Sequence, residues 1–319
     1  MPPPVRRSLL VLVLTLVGAL VLAGVAAASH GGITPVSPES PNAHRITHAY
    51  LLILGVTGVI FVLVEGSLLT FVVRYRNRGR PRNAEGSQIH GATRLELIWT
   101  VIPVLILAGI ASFVFYKLPG IKDTPKASAA GPRLHVVVEA HQFYWLFKYP
   151  DGSEAIDTLV VPVHRVVTLD VVSDDVAHSW WVPALGGKID AIPGTTNHTW
   201  FEADKTGSYA IRCAEFCGIQ HEAMRGFVKV VSAPRRQPVR VGKEVFYGVC
   251  ASCHGFRGEG LIGPAIATNP TLNDPKALRQ LLRNGFGKMP AVGATWDDRL
   301  MNDAVGYLKA RFGGKTSGS

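Results

Sequence analysis

Two apolar runs, at about 49–73 and 97–116, set the first limit on what this chain can become. Each is near the roughly 20 residues that an α-helix needs to cross a bilayer. Between them, residues 74–94 hold Arg74, Arg76, Arg78, Arg80, Arg82 and Arg94 against a single acid, Glu85. A short loop so rich in arginine stays on the cytoplasmic side. The two runs therefore predict a transmembrane hairpin over 45–118, with everything that follows it on the outer side. An earlier apolar run, 9–28, follows Arg6 and Arg7 and ends in three alanines. A basic start, an apolar centre and a small-residue exit predict a signal peptide over 1–28, with an uncleaved first span as the alternative. Glu65, inside the first long run, is costly in lipid and is expected to face protein or water. Glu96 opens the second, where a helix dipole favours an acid.

Charge separates the remaining sequence into two parts. The net charge of +10 would suggest a nucleic-acid partner if it were evenly spread. It is not: residues 133–232 carry eight Lys/Arg and twelve Asp/Glu, net −4, whereas 235–319 carry thirteen and six, net +7. Segments of opposite sign exclude a nucleic-acid surface and predict either that the two attract each other in a salt-sensitive way or that the +7 segment attracts an acidic external donor.

Residues 133–232 have the texture of a β-sandwich or barrel. Short β-prone runs at 134–139, 143–149, 159–162, 166–172, 178–182, 196–202, 207–212 and 226–231 are separated by turn signals such as Pro150-Asp151-Gly152 and Pro193-Gly194. Near their end stands Cys213-Ala-Glu215-Phe-Cys217-Gly-Ile-Gln-His221-Glu-Ala-Met224. Two thiols, an imidazole and a thioether on one loop form a soft ligand set that suits copper. One thiolate suffices for a single ion, while two can bridge a pair of ions. A pair needs a second imidazole from earlier in the chain, and His135, His141, His164, His178 and His198 are all available. A Cys213–Cys217 disulfide and a zinc site are the alternatives. The thioether at ligand spacing argues against both.

The +7 segment holds Cys250-Ala-Ser-Cys253-His254, the signature of covalent c-type haem attachment. Both thiols would bond the haem, and His254 would be its proximal iron ligand. No histidine follows His254, so the second axial ligand falls to Met289 or Met301. Met301 lies on the apolar side of a predicted helix, 296–312, whereas Met289 sits in the Gly- and Pro-bounded loop Asn284-Gly-Phe-Gly-Lys-Met289-Pro290. Met289 is the expected ligand. Other helices are predicted at 242–249 and at 275–284 behind the cap Asp274, and Thr295 with Asp298 is expected to open the last.

The strings Val172-Ser-Asp-Asp-Val-Ala-His178-Ser179-Trp180, Lys188-Ile-Asp190-Ala-Ile-Pro193-Gly194 and Cys213–Met224 resemble subunit II of haem–copper cytochrome c oxidases. So does Leu95-Glu96-Leu97-Ile98-Trp99-Thr100 at the second apolar run, and the likeness covers about 45–232. Residues 241–313 resemble a class I cytochrome c, including a turn, Gly263-Pro264, that orients the proximal imidazole. Together they resemble the fused subunit II of caa-type oxidases. The resemblance implies a multidomain chain: a two-helix transmembrane hairpin, an all-β cupredoxin sandwich at 133–232 and an all-α cytochrome c domain at 241–313. It implies a binuclear copper centre (CuA) held by His178, Cys213, Glu215 through its carbonyl, Cys217, His221 and Met224. It places the Glu215 side chain toward a magnesium ion shared with subunit I, and Glu96 at the mouth of a proton pathway. The implied partners are subunit I, subunit III, an upstream cytochrome or quinol-oxidising complex as donor, and the bacterial cell membrane with the soluble domains outside. The implied function is transfer of electrons from haem c to CuA and on to subunit I, where oxygen becomes water and protons are pumped. A CuA-containing nitric oxide or nitrous oxide reductase and a tethered copper carrier are the alternatives. One position departs: the family's Gln-Trp-Tyr-Trp is here Gln142-Phe143-Tyr144-Trp145, without the indole at which soluble cytochrome c delivers electrons.

Overall fold

A computed structural model describes residues 35–75, 88, 91–125, 131–232, 241–266 and 269–313. The signal-peptide reading and most of the arginine loop lie outside them.

Helices α1 (Pro41–Tyr75) and α2 (Thr93–Lys122) are the two long apolar elements, 35 and 30 residues. Leu63, Val72, Leu105 and Phe115 are exposed along them, the surface expected where the solvent is lipid. Their hydroxyls are satisfied within the helix: Ser67 donates to the Leu63 carbonyl, Thr70 to Gly66 and Thr100 to Glu96. The Arg45 guanidinium donates to the Gly120 carbonyl at 2.6 Å and joins the start of α1 to the end of α2, as a hairpin requires.

The second body comprises the described residues of 36–43 and 124–313. Its first part is a sandwich of strands β1 (Leu134–His141), β2 (Tyr144–Lys148), β3 (Glu154–Ile156), β4 (Thr158–Pro162), β5 (Val166–Ser173), β6 (His178–Trp181), β7 (Ile189–Ala191), β8 (Asn197–Glu202), β9 (Gly207–Cys213) and β10 (Arg225–Val231). One sheet runs β3-β2-β1-β5-β8 and the other β4-β10-β9-β6-β7. β1 pairs with β5, and β4 with β10, in parallel. The three-residue strands β3 and β7 are too short to show a period and are absent from the expected set. Alternation places Val136, Val138 and Ala140 inside, where Trp180 meets Trp145 and Phe147 edge-on. Ahead of the sandwich, Ser40 donates to the Leu185 carbonyl and Asn42 to that of Trp200.

Strand β2 breaks alternation, since Tyr144, Trp145, Leu146 and Phe147 are all buried. Trp145 and Phe147 point into the sandwich, while Tyr144 and Leu146 join a second core made by the helical region. That region starts with α3 (Val241–Val245), a π-helical turn (Phe246–Cys250) and α4 (Ala251–His254), followed by α5 (Pro275–Asn284) and α6 (Asp298–Phe312). Asp274 caps α5 through the Lys276 and Ala277 amides, as expected. At α6 the expectation fails. Asp297, not Thr295, is the cap, because its carboxylate reaches the Leu300 amide at 2.7 Å and the helix starts at Asp298. A Cβ on Gly242 would stand 2.0 Å from the Asp303 carbonyl oxygen, so only glycine allows α3 to lie this close to α6.

The sandwich and the helices share a seam. Tyr144, Leu146 and Ile156 pack among Phe246, Trp296 and the helical core. The Trp296 indole donates to the Tyr144 hydroxyl at 2.8 Å, the Ile156 amide to Glu244 at 3.2 Å and Arg299 to the Gly152 carbonyl at 3.3 Å. Net charge pointed to electrostatic docking, but the centre of this contact is apolar.

Candidate copper and haem centres

His178 is the first residue of β6, in a sheet with β9, which ends at Cys213. The loop after Cys213 folds back as β10 and carries Cys217, His221 and Met224. These side chains converge. The Cys213 and Cys217 sulfurs stand 3.9 Å apart, and both thiols are free. His178 Nδ1 lies 3.8 Å from the Cys213 sulfur, and His221 Nδ1 lies 3.5 Å from that of Cys217. The Met224 thioether is 3.9 Å from Cys217, and the Glu215 carbonyl oxygen 3.2 Å from Cys213. Each sulfur therefore has its own imidazole and one weak donor. That doubled set fits a pair of copper ions and exceeds the needs of one.

Neighbouring groups prepare the set. Asp175 lies 2.8 Å from His178 Nε2, which fixes the proton there and frees Nδ1 to face the sulfur. Burial works to lower the His178 pKa, but Asp175 and Cys213 together raise it. Burial likewise opposes ionisation of Cys213, yet His178 and two backbone contacts bring it down to about 7. Burial and the adjacent Cys213 push Cys217 up to about 12. Gln142 donates from its side chain to the Cys217 carbonyl and from its backbone to Asp175, both at 2.6 Å.

Of the other upstream histidines, His135 and His198 pair with Asp170 on the β3-β2-β1-β5-β8 sheet, His141 sits beside Glu139 and Asp174, and His164 adopts a left-handed backbone. Glu215 has an exposed side chain. Glu96 accepts from the Ala92 amide at 3.2 Å, closing the first turn of α2.

The haem residues lie on α4 and the loops around it. His254 Nδ1 is 2.7 Å from the Pro264 carbonyl oxygen. A carbonyl only accepts, so Nδ1 carries the proton and Nε2 is left with its lone pair for a metal. A Cβ on Gly263 would stand 2.9 Å from the ring, so glycine lets this backbone lie against the imidazole. Burial and the neighbouring Cys253 push Cys250 up to about 12. Met289 and Phe286 exchange backbone hydrogen bonds in a tight turn, with the Met289 side chain half-buried against the helical core. Met301 is fully buried in that core, as expected for a packing residue. Phe256, Leu261, Ile262 and Phe286, on loops flanking these groups, are all more than half exposed. That much apolar surface beside a free axial nitrogen and two thiols fits a haem.

Asp175, Gln142 and Gln220 are the contributors that ligand spacing does not reveal. Gln220 donates from Nε2 to the Cys253 sulfur at 3.3 Å and links the copper loop to the haem motif. Asp175 three residues before His178 is a signal only once its ring is known to bind metal.

Comparison with known proteins matches the domains that hold the two sites. A family profile described as the transmembrane domain of cytochrome c oxidase subunit II matches residues 28–116, and that of its periplasmic domain matches 153–231. A profile described as cytochrome c oxidase, cbb3-type, subunit III matches 237–308. The chain is 34% identical to the cytochrome c oxidase subunit 2 of Alkalihalophilus pseudofirmus over 73% of its own length and 74% of the relative's. It is 33% identical to the probable cytochrome c oxidase subunit 2 of Rickettsia bellii, over 69% and 88%. The crystal structure of the periplasmic domain of cytochrome oxidase subunit II from Bradyrhizobium japonicum is 37% identical, with a TM-score of 0.31 covering 34% of this chain and 87% of that one. The chain is a membrane protein with its soluble domains on the outer side, and it belongs to the cytochrome c oxidase subunit 2 family, in a form that carries a cytochrome c domain.

Proposed function

We propose that this chain is the electron-input subunit of a cytochrome c oxidase, carrying electrons from a haem c to a binuclear copper centre and on to subunit I. Reduction of oxygen to water and proton pumping belong to subunit I. The observation that carries the reading is the contact between the two sites: Gln220, next to the copper residue His221, reaches the haem cysteine Cys253 at 3.3 Å. A donor attached this way has no need of the indole missing at Phe143.

His178, Cys213, Cys217, His221, Met224 and the Glu215 carbonyl would hold the copper pair. Cys250 and Cys253 would anchor the haem, with His254 and Met289 as axial ligands. When bound, both groups supply one-electron carriage. The chain's own residues do the positioning. Asp175 keeps the proton of His178 on Nε2, and the Pro264 carbonyl keeps that of His254 on Nδ1. The sandwich core keeps bulk water from His178 and Met224, which lowers the reorganisation that each change of charge demands. The exposed Glu215 carboxylate is free to meet a magnesium ion at subunit I. Glu96 is assigned to the proton entrance in addition to its helix-closing bond. Subunit III completes the complex, and an upstream cytochrome or quinol-oxidising complex is the donor.

Replacing Cys217 by Ser in the assembled complex provides the test. Oxygen uptake should fall to background while the haem c is still reduced by an external donor. Undiminished uptake would remove the copper centre from the path. Reduction of nitric or nitrous oxide in place of oxygen by the unaltered complex would favour the reductase alternative.

A further inference from the structure

A second cluster of metal-binding side chains lies outside the copper site. Glu139 and His141 are two apart on β1 and so share its outer face. The parallel pairing of β1 with β5 ends at Ala140 beside Ser173, which brings the next residue, Asp174, to the same place. His141 Nε2 stands 3.7 Å from Glu139 Oε2 and 4.0 Å from Asp174 Oδ2. Both gaps are too long for hydrogen bonds. The imidazole side chain is only 7% exposed, and its Nε2 is buried with no hydrogen-bond partner. A buried nitrogen left without a partner is costly unless something occupies the space between.

We propose that Glu139, His141 and Asp174 form a divalent-cation site of the zinc type, separate from the copper centre. Zinc bonds nitrogen and oxygen at about 2.0–2.2 Å, so tetrahedral neighbours stand roughly 3.4 Å apart. The imidazole nitrogen stands 3.7 and 4.0 Å from the two carboxylate oxygens, close to that spacing, and all three ligand atoms lie within 4.8 Å of one another, so the two carboxylates need only a side-chain adjustment to grip one ion. One imidazole with two carboxylates selects a borderline ion over calcium, which takes six to eight oxygens, and over soft Cu(I). The ring is already locked in place. It stacks on Tyr144 at 4.7 Å and 7°, and Tyr144 is fixed by the Trp296 indole. Lys148 occupies the other Glu139 oxygen and leaves Oε2 for the ion. Asp174, 36% exposed, gives an entry path and a fourth position for water.

The site would act on its surroundings through Asp175, the residue after Asp174, which holds both Gln142 and His178. An ion tying Asp174 to β1 would stiffen this support of the copper site from behind.

The test uses the full chain in detergent, loaded with copper and haem, with the copper absorption monitored throughout. Zinc chloride is titrated by calorimetry, and retained zinc is measured after gel filtration. One zinc per chain is expected. Asp174→Asn should weaken binding at least about tenfold and His141→Gln should abolish it, with copper absorption intact. Zinc absent from the unaltered chain would assign the gap to water and overturn the proposal. So would equal binding in both variants, or loss only in His198→Ala, which would place the ion on the exposed His135–Asp170–His198 group. If His141→Gln fails to fold, Asp174→Asn decides, because that side chain lies at the surface.

Discussion

The copper residues come from two separate stretches, His178 on β6 and the loop from Cys213 to Met224, and the sandwich closes over most of them: His178 and Met224 are 0% and 1% exposed. The haem residues Cys250, Cys253 and His254 are near neighbours in sequence, yet Cys253 and His254 stay half-exposed among uncovered apolar side chains. One site lines the inside of a packed core. The other sets apolar side chains around the haem motif that a bound haem would cover. Removing the two cofactors should therefore have unequal results. Copper-free protein should keep amide-exchange protection across 134–231. A chain without haem, made as Cys250→Ala/Cys253→Ala, should lose protection over 241–313 almost completely. Equal loss in both would show that the copper also holds its domain together.

The methionines sharpen the same contrast within the helical region. Met289→Ala should remove an axial ligand, lower the haem potential and open the iron to carbon monoxide. Met301, fully buried, contributes packing alone. Met301→Ala should cost about 2–5 kcal/mol of stability and leave the haem spectrum unchanged. A spectral change in Met301→Ala, and none in Met289→Ala, would reverse the assignment.

On the copper side the preparation comes from Asp175 behind His178. Asp175→Asn should weaken copper binding about 10- to 100-fold, read by competition with a chelator, without unfolding the sandwich. Unchanged affinity would mean that packing alone orients the ring.

The seam between the domains has its own pH dependence. Desolvation pushes the Asp157 carboxyl up to about 8, with Glu244 across the seam adding to the effect. In the unfolded chain the same group ionises near about 3.9. Between those values the folded state holds a proton that the unfolded state has lost, so stability falls as pH rises through this window. Thermal unfolding should show that fall, and Asp157→Asn should flatten it. An equally steep fall in the variant would place the titration elsewhere.

Much of this was legible in the sequence because it is local. The apolar runs, eight strands, the copper loop and the haem motif each lie within a short window of residues. The four buried positions in a row on β2 were not, because Tyr144 and Leu146 are covered by helices more than ninety residues further along. Gly248 is similar. In sequence it is an ordinary helical glycine, but its missing Cβ would stand 2.2 Å from an Asp157 oxygen and 2.8 Å from Ile156 across the seam. The cap at Asp297 was missed because Thr295 and Asp298 matched a known pattern, and only the backbone path decides between adjacent cap-formers. Choosing His178 from five histidines needed the family resemblance, and its support by Asp175 needed the structure.

The smallest expected effect tests what holds the seam together. Net charges of −4 and +7 on the two segments suggest a contact that salt would loosen. Exposed charges are screened over roughly 10 Å at 0.1 M salt. The seam instead buries Tyr144, Leu146 and Ile156 against Phe246 and Trp296, and apolar contact of that kind does not weaken as salt rises. The Trp296 indole N–H, bonded to the Tyr144 hydroxyl, reports directly on the contact. Its exchange with solvent should be equally slow at low and high salt, and faster in Gly248→Ala, where the new methyl group pushes the domains apart. Exchange that speeds up steadily with salt in the unaltered chain would return the docking to electrostatics. The +7 of the cytochrome segment would then act on its own neighbour, where a salt-independent seam leaves that charge to face an acidic external donor.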